Sequence, residues 1–321
     1  MIERWPVAGQ FVIARGAKTH VDLLVVAASD GSHIGMGEGT AIYYRGETAA
    51  SCLSQVESVI DDLQPMNAVS ARALLQVLLP PGAARNAVDC ALWDLAAKAA
   101  RMPLWRYTGL IEAPKPLATA FTISLGEASV MEADAALAVA KGYGLLKIKL
   151  TGEGDRDRVE AVRKGAPEAR LIVDANESWS GLDIEAEAAF LADLGVELVE
   201  QPVPAGQEDR RASINSPVPL FADESCHTSG DVERLVPFYD GVNIKLDKAG
   251  GLTEALKLAD AAEAAGLDIM VGCMLSTSLG IAPAFLLAQR AKWVDLDGPA
   301  LLAKDRNEGF TFKGGKIIPP S

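Results

Sequence analysis

With 321 residues, 49% of them apolar, the chain is long enough to bury a large core, either as two domains or as one barrel with an addition. A formal charge of −13 and a pI near 4.8 exclude nucleic acid and anionic membrane as partners, because both require clustered Lys and Arg. No apolar run reaches the ~18 residues of a membrane span, and the opening MIERWPVAGQ lacks the charged head and apolar centre of a signal peptide, so the expected location is the cytoplasm.

The first hundred residues predict a small α+β unit. A strand is expected around Val21 to Ala28, a turn at Asp30-Gly31 and a second strand near Ile34. Helical patterning runs from about Glu47 to Leu63 and from about Ala83 to Ala100. The four cysteines, Cys52, Cys90, Cys226 and Cys273, form no CxxC pair and predict neither a disulfide framework nor a zinc site.

From Pro116 the pattern changes. Short β-branched runs alternate with alanine-rich helical stretches, the signature of a parallel sheet with crossover helices. The runs are LATAFTIS, LLKIKL, ARLIVDAN, VELVEQP, PLFADE, GVNIKL, LDIMVGC and KWVDLD. Eight strands predict closure into a barrel. Helix starts are expected at Ser129 with Glu132, Ser180 with Asp183 and Thr228 with Asp231, each at capping-box spacing, and stops at Gly142, Gly195 and Gly266. The stretch after Pro299 has no crossover-helix pattern and is expected to return to the N-terminal unit. The expected division is therefore 1–115, 116–298 and 299–321.

Barrel strands are buried on both faces, so charges at their ends call for a reason. Lys147 and Lys149 end the second strand, Asp174 and Asn176 the third, Glu200 the fourth, Asp223 and Glu224 the fifth, Lys245 the sixth, and Asp295 and Asp297 the eighth. From Lys149 to Lys245 the steps are 22 to 26 residues, about one βα unit each, which brings all of them to the C-terminal mouth. Any one alone reads equally well as a solvated strand end; five in phase do not.

Three carboxylates meeting at one point repel unless a cation lies between them. Oxygen-only ligands favour a hard ion, so Asp174, Glu200 and Asp223 predict a Mg2+ site, one ion per subunit. His227 is the nearest histidine and reads as a loop residue. Lys149 and Lys245 stand on opposite sides of the acid-bearing strands, a two-base arrangement in which burial and a nearby cation would lower a lysine pKa. Together these groups suit removal and return of a proton alpha to a carboxylate. A divalent ion steadies the second negative charge that develops there, and Lys147, on the same strand face as Lys149, adds another positive charge. Lys248 and Gly250-Gly251 read as shaping the following turn.

These residues resemble the enolase superfamily, in its muconate-lactonizing-like branch with KxK on the second barrel strand and a lysine on the sixth; lysine bases with Mg2+ are a known device of that superfamily. The segments KIK, DANESW, EQP, ADES and NIKLDKAGG carry the resemblance, and PGAARNAVDCALWDLAAK looks like the helix joining cap to barrel. It implies an α/β fold, a modified TIM barrel (β/α)7β under an N-terminal α+β capping domain, and a homo-oligomer. VDLDGP resembles the DxD of dipeptide epimerases, whose substrates carry a free α-ammonium that Asp295 and Asp297 would bind by charge-assisted hydrogen bonds. GCMLSTS and FVIARG add a likeness to enzymes acting on L-Ala-D/L-Glu, a murein fragment. By similarity, Thr122 and the backbone from Cys273 to Leu275 line the substrate, and Arg15 or Lys18 either reaches its side-chain carboxylate or is solvated. Ser276 stands where many relatives carry an acid. The alternatives are an N-acylamino acid racemase, an o-succinylbenzoate synthase or a cycloisomerase, then a non-catalytic barrel that binds metal or peptide, and a Schiff-base aldolase.

Overall fold

The computed structural model describes residues 1–13, 16–211 and 214–320. Strands β1 (Ile2–Ile13), β2 (Gly16–Ser29) and β3 (Ile34–Thr40) form an antiparallel sheet in that order. The sequence pattern misses β1 because Pro6 and Gly9 interrupt its alternation, and its register against β2 shifts between Pro6 and Phe11. Helices Ala49–Glu57, Ala68–Leu78 and Ala83–Ala99 complete the cap; the second was not expected, and the first is followed by a separate turn of helix at Ile60–Leu63. Gly35, Gly37 and Gly39 share one face of β3, where a Cβ would overlap the backbone oxygens of Ala91, Ala87 and Ala83. The alternating glycines thus let helix Ala83–Ala99 lie directly on the strand. Its other side meets the barrel through Arg85, which donates to Ala249 O and Gly250 O.

The second unit begins with β4 (Leu117–Ala118), followed by eight parallel strands: β5 (Phe121–Ile123), β6 (Leu145–Lys149), β7 (Arg170–Asp174), β8 (Val196–Glu200), β9 (Leu220–Ala222), β10 (Gly241–Ile244), β11 (Asp268–Gly272) and β12 (Trp293–Asp295). Each pairs with its sequence neighbour, and a backbone bond from Ala120 N to Val294 O at 2.8 Å brings the two edges together. Alternate residues face opposite ways along each strand. One set, including Ile148, Val173, Val199, Ala222, Ile244 and Val271, packs with the helices in the main core. The other forms a separate apolar cluster of Ala120, Leu145, Ile172, Leu198, Phe221, Met270 and Trp293. Two residues further along the same inward faces come Thr122, Lys147, Asp174, Glu200, Asp223 and Asp295. The barrel is plugged by hydrocarbon at one level and lined with charge at the next.

Among the expected helix starts, Thr228 and Asp231 form a capping box. The other two differ. Glu127 rather than Ser129 occupies the N-cap position of helix Ala128–Ala140, without a side-chain cap bond, and Asp183 itself caps Ile184–Asp193, accepting from Ala186 N. Gly142, Gly195 and Gly266 adopt left-handed φ of 94°, 69° and 77° just past their helices. After β12 the chain meets the cap through a Val7–Leu302 bridge and Arg306, which binds Glu3 and the buried Glu38. It then forms a hairpin, β13 (Thr311–Lys313) and β14 (Lys316–Ile318), whose second strand pairs with β4.

Candidate active site

The inward, C-terminal positions of the barrel strands converge as their spacing predicts. One oxygen from each of Asp174, Glu200 and Asp223 lies within 4.8 Å of the others, and all three side chains are buried. Four lysine Nζ atoms surround them. Lys149 Nζ is 2.6 Å from Asp174 Oδ2, Lys245 Nζ is 2.7 Å from Asp223 Oδ2, and Lys147 Nζ bridges Asp174 at 3.2 Å, Glu200, and Asp295 at 2.9 Å. Lys248 Nζ holds Asp223 Oδ1 at 2.6 Å and donates to Asn243 O. The sequence reading gave Lys248 only to a turn. Its side chain is instead buried against an acid of the cluster, while Gly250 and Gly251, at φ 78° and 118°, do shape the turn.

Burial and repulsion act on these acids together. Burial, reinforced by Asp174, lifts Glu200 to about 7. Asp174 and Asp223 feel the same burial but are driven below the usual carboxylate range, Asp174 by Lys149 and Lys147 and Asp223 by Lys245 and Lys248. At Lys245 burial favours the neutral amine, but Asp223 and Glu200 more than offset it and hold the group well above an ordinary lysine. The lowering expected from burial and a nearby cation is not produced by burial alone, which the chain's own carboxylates outweigh. Glu200 Oε2 and Asp223 Oδ1 have ammonium groups close by yet accept no directed hydrogen bond. Buried oxygens of that kind, in an all-carboxylate set, fit a hard divalent cation.

On the closing strand, Asp297 Oδ2 accepts from Thr122 N at 2.7 Å, and burial together with Asp295 raises Asp297 to about 7. Asp295 Oδ1 is buried without a hydrogen-bond partner. Both acids, with Thr122, Cys273, Leu275 and the three lysines 147, 149 and 245, line one pocket of about 740 Å3, its open mouth included. Burial pushes the Cys273 thiol up, which favours its neutral form. Ser276 turns its hydroxyl to Met274 O. His227 stays a loop residue, its pKa lowered to about 4 by burial, with Nδ1 3.1 Å from Arg45.

Cap residues roof the pocket. Lys18 lies over the Tyr43 ring, 4.4 Å from its centroid, and burial lowers its pKa. Arg15 lies outside the described residues. Phe11, Tyr43, Tyr44 and Leu301 also line the pocket and were not singled out from sequence, whereas Met274 lies within the Cys273 to Leu275 backbone that was. All four lie in cap or tail segments with no periodic pattern, and a signal was available only at Phe11, which opens the FVIARG run.

The fold and these acids are those of a known class. Residues 1–109 match the mandelate racemase/muconate lactonizing enzyme N-terminal domain and residues 130–321 the enolase C-terminal domain-like family, so the chain belongs to the enolase superfamily. It is an enzyme of the isomerase class. It is 43% identical to the L-Ala-D/L-Glu epimerase of Escherichia coli K12, over 98% of this chain and 97% of the relative. An N-acetyl-D-glutamate racemase from a Pseudoalteromonas species is 40% identical over 92% and 93% of the two chains. A crystal structure of an enolase family member from Agrobacterium tumefaciens with homology to dipeptide epimerases, holding sodium and L-Ala-L-Glu, superposes with a TM-score of 0.94 at 46% identity, covering 100% of this chain and 97% of that one.

Proposed function

We propose that the protein is a Mg2+-dependent dipeptide epimerase acting on L-Ala-D/L-Glu, inverting the α-carbon of the C-terminal residue. The observation that carries this reading is the pair of lysines on either side of the acid trio, with a second pair of buried acids, Asp295 and Asp297, across the same pocket. When bound, a divalent ion held by Asp174, Glu200 and Asp223 supplies positive charge that offsets the carboxylates holding Lys245 protonated and steadies the second negative charge developing on the substrate carboxylate.

The protein's own groups do the rest. One of Lys149 and Lys245, as a neutral amine, takes the α-proton; the other, as an ammonium, returns a proton to the opposite face. The two exchange roles for the reverse direction, so they titrate as a coupled pair. Lys147, an ammonium buried among the acids, adds charge beside the substrate carboxylate. Asp297, held by Thr122, and Asp295 take the substrate's α-ammonium. Cys273 and Leu275 wall the pocket, and Lys18 faces the glutamyl carboxylate from the roof.

The relative named an N-acetyl-D-glutamate racemase supports a second reading, because N-acetylglutamate shares the carboxylates but lacks the ammonium. A panel of L-Ala-L-Xaa dipeptides and N-acetyl amino acids, incubated with Mg2+ in D2O and followed by NMR, separates the two. Deuterium at the α-carbon of L-Ala-L-Glu at a kcat/KM well above that for N-acetylglutamate supports the epimerase; the reverse order contradicts it.

A further inference from the structure

Gln201 follows Glu200, has no exposed surface and takes no part in the chemistry proposed above. Its backbone lies at φ +38°, in the left-handed region that non-glycine residues occupy only when their surroundings enforce it. Asn176 and Glu177, just past Asp174, are left-handed as well, at 44° and 68°. The strained residues therefore stand directly behind two of the three acids.

The bonds that hold Gln201 reach all three acid-bearing loops. Its backbone N donates to Phe221 O at 2.8 Å, on the strand leading to Asp223, and its backbone O accepts from Glu177 N at 2.8 Å, on the loop after Asp174. Its side-chain Oε1 accepts from Asp223 N at 2.9 Å and Ser225 N at 3.1 Å. On the other side Nε2 donates toward Val203 O at 2.7 Å, Ser225 Oγ at 2.8 Å and Tyr239 OH at 3.1 Å. A buried amide filled on both edges has one orientation, and its oxygen fixes the main chain at Asp223. Without it, two buried N–H groups lose their acceptor and the end of β9 is free to tilt its carboxylate away from the other two.

We propose that Gln201 is a positioning residue for the divalent ion: its amide oxygen holds Asp223 at the separation from Asp174 and Glu200 that coordination requires, and so sets the ion's affinity. This rests on the three acids binding such an ion. Groups behind metal ligands typically change affinity by roughly 10- to 100-fold when removed.

The test is calorimetric titration of the folded full-length chain with MgCl2, well below each variant's Tm. Gln201→Met, which keeps the volume and loses the amide, is expected to bind Mg2+ at least tenfold more weakly. Tyr239→Phe removes one partner on the donor side only and is expected to stay within about threefold of wild type. Should Gln201→Met not fold, Gln201→Asn, which withdraws the amide by one methylene, carries the same expectation. Wild-type affinity in the Gln201 variant, or an equal loss in Tyr239→Phe, overturns the proposal alone. A wild-type chain that takes up no divalent ion overturns it together with the metal reading.

Discussion

Asp297→Asn isolates the charge that separates a dipeptide from an N-acyl amino acid. Asparagine keeps the shape and an oxygen to accept from Thr122 N, which lies 2.7 Å away in the native pocket, so the strand end stays in place while the negative charge is lost. A hydrogen bond to a charged group is worth about 1.5–3 kcal/mol. At about 1.4 kcal/mol per tenfold, kcat/KM for L-Ala-L-Glu falls roughly 10- to 150-fold, while any turnover of N-acetyl-L-glutamate changes little. The pH profile adds a second readout. Burial and Asp295 bring Asp297 to about 7, so below that pH a proton competes with the substrate ammonium. The deficit of the variant relative to wild type on the dipeptide therefore shrinks as pH falls through about 7, where the native acid is protonated as well. Equal losses for dipeptide and N-acetyl substrate, or no loss for either, would refute the assignment of Asp297 to the ammonium.

Lys18→Met removes the roof cation and is expected to lower kcat/KM for L-Ala-L-Glu at least tenfold while sparing L-Ala-L-Leu; parallel changes across a dipeptide panel would show that Lys18 does not read the side chain. Asp247, buried between cap and barrel, accepts from Thr40 N at 2.9 Å and Asn86 Nδ2 at 2.8 Å, and burial raises it from 3.8 to about 7. A carboxyl raised on folding contributes stability that is complete below its unfolded pKa and declines up to its folded one, here from about pH 4 to about pH 7. Asp247→Asn escapes that decline, so denaturant unfolding at pH 8 should show it more stable than wild type, by up to about 4 kcal/mol, and matched near pH 4. A variant less stable at pH 8 would contradict this.

The barrel and its charged mouth were legible in the sequence because short apolar runs recurring at βα spacing are imposed by the same geometry that brings strand ends together. Lys147, Asp174, Glu200, Asp223, Lys245 and Asp295 could thus be placed without any knowledge of contacts. The roof was not legible: Phe11, Tyr43 and Tyr44 reach the pocket from cap segments whose approach depends on docking of one unit on another. The contact of Lys248 with Asp223 was not legible, because a lysine one turn past a strand end usually extends into solvent, whereas its stem here runs inward. The two misplaced helix caps show the limit of spacing as evidence, since Ser180 and Asp183 fit a capping box but the acid alone caps the helix. The glycines of β3 did carry a readable signal, small residues at every second position, which marks a face pressed against backbone.

The most direct test of two flanking amines is α-proton exchange in D2O by Lys149→Gln and Lys245→Gln, each given L-Ala-L-Glu and L-Ala-D-Glu separately with Mg2+. The account predicts that each variant loses epimerisation by at least about 100-fold, the lower range for a general acid or base. Each should still exchange the α-proton of one diastereomer, with opposite preferences. Exchange of both diastereomers by either variant, or the same surviving diastereomer in both, would contradict it.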